Sequence, residues 1–409
     1  MSFAKSGTVA RVLGAQLCTG CGLCASVSSG AIVMRPQMRG YVRPVQLGPL
    51  TRQMEHVIAK SCPGTVVSPW QRAPNVHPYW GPWYRVATGH ATDSALRHQA
   101  SSGGAVSALA IYALESGKVD RVIHVRADPD WPTRNVVTCS TTQKEIMEGS
   151  GSRYSSSSPL ATIDQALSDG GRLAFIGKPC DVSALRQFAL LDGRVDEHVP
   201  LMLSFFCAGI PSFQAADRVV AAMGVDAAEL ATFRYRGNGW PGSAAATTQD
   251  GRTVQMSYAD SWGGYLSKEL QFRCKICPDA VGARADVACA DAWYGDADGY
   301  PSFEEHGGRS LIITRTEAGE SLLSESVLGG AIEMTSLAID EVDAMQPGQA
   351  MRKRLCKART AALAISFHPV PRAAETLLDQ ASMRASFGER ARAFLGTMRR
   401  RLFPRRETE

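Results

Sequence analysis

Short apolar runs alternate with helical stretches through the middle of the chain, and this pattern predicts most of its elements. Between Ala105 and Glu115 apolar positions recur at helical spacing; Gly117 follows, and Val119 to Val125 then reads as a strand. Ile163 to Leu167 reads as helix, Gly170-Gly171 breaks it, and Arg172-Leu-Ala-Phe-Ile176 has the continuous apolar character of a buried strand. Asp181 to Phe188 predicts another helix, with Leu201 to Phe206 and Ser310 to Thr314 as further strands. Glu341 to Ile365 is helical with a break near Pro347-Gly348. Helices feeding strands in this order predict an α/β (α+β) fold around one sheet. Phe233 to Asp250, glycine-rich and polar, reads as a turn region over the site, and Cys274 to Tyr294 as a cysteine loop.

Composition narrows this picture only slightly. The 409 residues suffice for two or three domains, and 44% hydrophobic with 20% charged residues is ordinary for a globular protein. A net charge of +5 is too mild to argue for nucleic acid. Part of that excess lies in Arg399, Arg400, Arg401, Arg405 and Arg406, set among Phe394, Leu395, Leu402 and Phe403. Such a segment suits either an anionic membrane surface or an acidic partner, and equally a solvated terminal helix. No run of about 18 apolar residues occurs, so no membrane span is expected. The start of the chain lacks the apolar core of a secretory signal, and 11 cysteines is an odd number. A reducing, cytoplasmic setting is therefore expected, in which closely spaced cysteines read as metal ligands or redox groups.

The most specific chemistry is Cys18-x-x-Cys21-x-x-Cys24, inside Leu-Cys-Thr-Gly-Cys-Gly-Leu-Cys-Ala. Three thiolates from one glycine-relieved loop suit an iron–sulfur cluster. The fourth cysteine of such a run usually follows three residues later, but that slot holds Ser28; Cys62-Pro63-Gly64 supplies the economical replacement. Zinc is the alternative. A second pair, Cys274 and Cys277, needs partners from elsewhere. Cys180 in Gly-Lys-Pro-Cys and Cys207 in Phe-Phe-Cys-Ala-Gly stand at strand ends, where ligands gather in α/β sheets. Cys289 is their rival, and small buried hydrophobes are the plain alternative for Cys180 and Cys207.

Ser101-Ser102-Gly103-Gly104 precedes a helix and resembles an anion nest, although Ser and Gly also merely cap helices. Gly151-Ser152-Arg153-Tyr154 adds a cation and a ring able to stack on a flavin or adenine. Arg236-Gly-Asn-Gly-Trp240-Pro-Gly reads either as a cover for a flat cofactor, offering Arg236 to an anion, or as a hairpin end. Neither a Gly-x-Gly-x-x-Gly turn nor a Walker loop occurs, which disfavours an ordinary Rossmann site and ATP hydrolysis.

As a set, these motifs, with Cys-Lys-Ile-Cys-Pro-Asp and Ala-Asp-Ala-Trp, resemble the coenzyme F420 hydrogenase/dehydrogenase beta-subunit family over about residues 10–365. That family is similar across F420-reducing hydrogenase and formate dehydrogenase beta subunits and 7-hydroxymethyl chlorophyll a reductase, and some bacterial members accompany polysaccharide synthesis. The resemblance implies FAD, one or two [4Fe-4S] clusters, and electrons relayed between them to an organic acceptor such as F420. It implies an N-terminal ferredoxin-like cluster module (1–70), a linker and entry (71–95), a flavin-binding α/β domain (96–335) and a C-terminal helical region with a basic tail (336–409). On this reading the flavin phosphates rest on Ser102, Gly103, Gly104, Ser152 and Arg153, with Lys178 and Arg236 holding anionic groups. Expected partners are a redox protein (a ferredoxin or a catalytic subunit) and a small-molecule substrate. Two other readings stand beside it: an electron-transfer subunit with no substrate of its own, and a zinc-stabilised binding protein in polysaccharide assembly.

Overall fold

A computed structural model describes residues 4–295, 302, 304–374 and 376–402. At its centre lies a mixed sheet whose strands, in chain order, are β1 (Arg85–Ala91), β2 (Arg121–Ala127), β3 (Asn135–Ser140), β4 (Leu173–Ile176), β5 (Leu201–Phe205), β6 (Val287–Asp291), β7 (Ser310–Thr314) and β8 (Ile332–Ser336). Across the sheet the order is β8-β1-β7-β6-β5-β4-β2-β3. The inner strands β2, β4, β5 and β6 run parallel, and the flanking pairs are antiparallel. The fold is α/β, as the alternating pattern predicts.

Parallel strands covered on both faces need continuous apolar runs, which is what β4 and β5 carry. Side chains alternate between the faces. Ala174, Leu201 and Leu203 pack with helix α1 (Ala105–Glu115), while Leu173, Phe175 and Met202 pack with helix α2 (Pro179–Ala189). Gly103 and Gly104 let α1 approach the sheet. A Cβ on Gly103 would meet Gly89 O at 2.6 Å and Ser310 N at 2.7 Å, and Gly104 holds φ +76°.

Two expectations need correction. Much of Phe233 to Asp250 is strand: Leu230–Arg234, Ala244–Thr248 and Thr253–Met256 form a separate three-stranded antiparallel sheet. Ala244, Ala246 and Thr248 alternate inward there, a period-two signal hidden by small and polar residues. Cys274 to Tyr294 is likewise not all loop, since β6 occupies Val287–Asp291 inside the main sheet.

The N-terminal segment contributes helices Gly7–Gly14 and Arg52–Ser61 and a hairpin, Ile32–Gln37 with Tyr41–Gln46. It is tied to the far end of the chain. Val66–Val67 pairs with Arg372–Ala373, and Val12, Leu17, Ile276 and Leu363 share one core. The tryptophan-rich stretch before β1 packs its rings inward: Trp80 is fully buried, stacks on Phe206 at 5.8 Å and donates to Asp343 Oδ1 at 2.7 Å. After β8 come Val342–Met345, α3 (Pro347–Ile365) and α4 (Phe387–Leu402), with the expected break at Gln346. Phe403, Arg405 and Arg406 of the basic tail lie outside the described residues. No described helix is long and apolar enough to cross a membrane.

His124 on β2 is buried, with Nε2 2.8 Å from Ser140 Oγ. Burial holds its pKa below the ordinary 6.5. The unfolded chain therefore binds the proton first as pH falls, and stability declines below about 6.5. Thermal melting between about pH 7 and 5 should show this loss, with a shallower slope for His124→Gln.

Candidate metal centre

Cys18, Cys21, Cys24 and Cys62 line one cavity, together with Thr8, Val9, Met34 and Ile58. The loop bends through Gly20 and Gly22, at φ +81° and +91°; a Cβ on Gly22 would meet Ala161 N at 2.8 Å. Cys62 enters as the residue that ends helix Arg52–Ser61. Ser28 is turned to other work: its hydroxyl donates to Ala25 O and accepts from Ile32 N, shaping the turn into the hairpin. Burial pushes all four thiols up; Arg43 opposes this at Cys18, and neighbouring thiols add to it at the other three. Cys62 and Asp181 oppose charge on Cys21, Cys21 and Cys18 oppose it on Cys24, and Cys62 is raised to about 12 by burial and Cys18.

A second group forms around α2. Cys180 lies in its first turn after Pro179, Cys207 follows β5, Cys274 sits in the short helix Phe272–Lys275, and Cys277 comes just after. Burial raises Cys180, with Asp181, Cys207 and Cys277 adding to it against Lys178. Cys207 reaches about 12 through burial and Cys274, and Cys274 rises through burial and Cys277. Gln271 Nε2 donates to Cys274 Sγ at 3.3 Å, and Arg352 and Gln349 donate to Cys207 O at 3.2 Å each. Cys356 on α3 is near enough to Cys277 to be raised by it as well as by burial. Cys289 stays apart: it is buried in β6, and the charge that acts on its thiol is Arg315. Among the described residues no three His, Cys, Asp or Glu side chains converge closely enough to hold a single metal ion.

The two groups meet at one ion pair. Lys178 Nζ lies 2.7 Å from Asp181 Oδ2, both side chains buried, and Asp181 acts on Cys21 of one group and Cys180 of the other. Burial opposes the charge on Lys178, but Asp181 holds it above the ordinary value. Arg273, next to Cys274, donates to Pro63 O at 3.1 Å and so ties the Cys62-Pro63 turn to the second cysteine loop.

The loops expected to hold anions behave differently from the sequence reading. Lys178 is spent on Asp181. Arg153 is spent on Asn135 Oδ1 and the carbonyls of Phe233, Pro132 and Arg134. Arg236 makes a bidentate pair with Asp291 at 2.8 and 2.6 Å, buried against Tyr258 and Trp293. Burial opposes its charge and Asp291 more than restores it, so it stays above its ordinary value. Trp240 is buried, stacks on Trp293 and donates to Asp291 Oδ1 at 2.8 Å, so it covers no open surface. Tyr154 packs against Trp262 and Tyr235. Apart from Lys178, whose partner Asp181 is three residues on, each of these side chains meets an acceptor or ring far away in sequence and so builds the scaffold.

What remains open is backbone and one arginine. Ser101 and Ser152 hydroxyls lie 2.8 Å apart, bringing the loops 101–104 and 151–154 together. Ser102 is bonded to Arg309 O, Gly103 N donates to Ser310 Oγ, and α1 begins at Gly104 without a side-chain cap. Arg234, half-buried between the two loops, donates to Gln99 O at 2.9 Å, and burial lowers its pKa. Beside it the Ser150 hydroxyl is buried without a partner among the described residues. An open groove of about 450 Å³ lies alongside, lined by Gln99, Gln143, Lys144, Met147 and Glu148. Sequence reasoning missed Arg234, Ser150, Asp181 and Arg273; of these only Asp181 carried a signal, by adjacency to Cys180.

Residues 86–163 match the family model for the coenzyme F420 hydrogenase/dehydrogenase beta subunit N-term, and residues 170–339 that for its C terminus. The chain belongs to that family. It is 25% identical over 68% of its length to the coenzyme F420 hydrogenase subunit beta of Methanococcus voltae, spanning 91% of that protein. It is 22% identical over 59% of its length to the F420-dependent formate dehydrogenase 1 subunit beta of Methanococcus maripaludis, spanning 59% of it. In fold it matches a chain of the xenon-derivatised F420-reducing [NiFe] hydrogenase complex from Methanosarcina barkeri, at a TM-score of 0.57 and 21% identity over 73% of this chain and 98% of that one. The matched region contains Cys180, Cys207, Cys274 and Cys277, whereas Cys18, Cys21, Cys24 and Cys62 precede it.

Asp291 neutralises Arg236 and also accepts from Trp240, so Asp291→Asn leaves a buried guanidinium uncompensated. A stability loss of about 3 kcal/mol is expected in urea unfolding.

Proposed function

We propose that the chain is an iron–sulfur flavoprotein that passes electrons between a redox partner and an organic acceptor, F420 or another conjugated molecule. One [4Fe-4S] cluster is held by Cys18, Cys21, Cys24 and Cys62, and a second by Cys180, Cys207, Cys274 and Cys277. The observation that carries this reading is the gathering of eight cysteines from five segments into two groups of four that share one buried ion pair. The donor set fits: cysteines partly or wholly buried, glycine-bent loops, and buried cations (Lys178, Arg273, Lys353) able to offset thiolate charge. A single zinc ion fits less well, because it draws its sulfurs to about 2.3 Å from one point. In a four-iron cluster each thiolate binds a different iron.

FAD supplies the conversion between one- and two-electron chemistry when bound. Its phosphates suit the uncapped start of α1, whose first-turn N–H groups point outward with the positive end of the helix dipole. Arg234 and the Ser150 hydroxyl supply a cation and a donor beside it. Ser101 and Ser152 hold the two loops together. The buried wall of Arg236, Trp240 and Asp291 keeps this side of the sheet rigid rather than binding ligand. The partner reading rests on relatives named as subunits of hydrogenase and formate dehydrogenase, which equally favours an electron-transfer subunit whose acceptor is supplied by a complex.

Anaerobic purification followed by iron, sulfide, zinc and flavin analysis tests this. About eight irons per chain with one flavin are expected; zinc in place of iron would overturn the reading. Cys62→Ser and Cys207→Ser should each remove about half the iron, while Cys289→Ser and Cys356→Ser should leave it unchanged. Arg234→Gln should weaken FAD retention about tenfold in equilibrium dialysis, a charge-assisted hydrogen bond being lost.

A further inference from the structure

Seven of the fifteen large hydrophobic residues that stand exposed among the described residues lie between Met351 and Leu402. They are Met351, Ile365, Phe367, Met383, Phe387, Leu395 and Leu402, with Phe367 96% exposed. All but Phe367, which lies in the turn just after α3, belong to the C-terminal helices, of which α3 packs on the second cysteine loop through Arg359 to Lys275 O and Lys353 to Pro278 O. That packing occupies one side of α3 and leaves the outer side of the helical layer uncovered.

The outer side carries a pattern. On α4, Arg392, Leu395, Arg399 and Leu402 are all exposed and follow one another at spacings of three and four, which places cation and apolar group alternately along one stripe. From Arg390 to Leu402 there are five arginines and no acidic residue. Glu389 at the start of the helix is already engaged with Arg354. Arg354 meets Glu389 near the start of α4, and Arg359 senses Arg400 near its end, so α3 and α4 run in the same direction. The exposed Ile365 and Phe367 at the end of α3 therefore lie at the same end as Leu402 and Arg399 to Arg401.

We infer that this face docks on an anionic lipid bilayer, with Ile365, Phe367, Leu395 and Leu402 entering the headgroup boundary and the arginines lying against the phosphates. Large apolar side chains interleaved with arginines on a helix face are the chemistry of an interfacial helix. The charge has the sign that an acidic leaflet attracts. Docking here would hold the second cysteine group, one helix layer away, near the membrane surface. The inference stands on exposure and charge, independently of which metal the cysteines hold.

The test is co-sedimentation of the full chain with vesicles of phosphatidylcholine alone and of equal parts phosphatidylcholine and phosphatidylglycerol. Binding to the anionic vesicles only is expected, weakening as salt is raised. Arg399→Gln with Arg401→Gln should reduce it roughly thirtyfold. Leu395→Ser with Leu402→Ser should reduce it at low and high salt alike, while circular dichroism stays unchanged in both double variants. Equal binding to neutral vesicles, no binding at all, or binding that neither double variant weakens would overturn the inference.

Discussion

Eight cysteines crowded into two groups that meet at one buried carboxylate, Asp181, are the constraint on which the rest of this structure depends. A buried thiolate is costly, and here each added thiolate makes its neighbours costlier still. The chain tolerates the crowding by surrounding it with compensation: Lys178 against Asp181, Arg352 over Cys207, Lys353 beside Cys277, and Arg273 bridging to Pro63. Without a positive group among the sulfurs, the thiols must stay protonated. A multinuclear metal centre in each group would supply that positive charge.

The fold is arranged to bring these sulfurs together. Parallel strands β4 and β5 end side by side, so the segments after them, Lys178-Pro-Cys180 and Cys207, leave the sheet at one edge. The N-terminal segment reaches the same place because it is pinned on both sides: its Cys62 turn is held by Arg273, and Val66–Val67 pairs with the C-terminal strand. The loops at the start of α1 and at Gly151 stand beside the sheet, braced by Arg153 and by the Arg236–Asp291 pair. Scaffold and site are thus built from adjacent residues with opposite duties.

Local signals in the sequence revealed the local structure. The apolar runs of β4, β5 and β7 and the helical spacing of α1 and α2 matched to within a residue or two, because their burial is written in every side chain. The Cys-x-x-Cys-x-x-Cys loop was legible from its spacing, and the structure brings Cys62 to the same cavity. The partners of Arg153, Arg236 and Trp240 were not legible because what engages them is remote: Asp291 lies 55 residues from Arg236. Arg234 was missed because an arginine in a strand looks like any surface cation until the loops that flank it are folded around it. The strand at Ala244–Thr248 was hidden since its run of three alanines and two threonines alternates in burial without alternating in polarity.

If two clusters lie on either side of Asp181, they must sense each other magnetically as well as electrostatically. Electron paramagnetic resonance of the fully reduced protein tests this most directly. The account predicts a broadened spectrum from two interacting paramagnetic clusters, which simplifies to one isolated signal in Cys62→Ser. A single isolated signal in the unaltered protein, or two that do not interact, would contradict it.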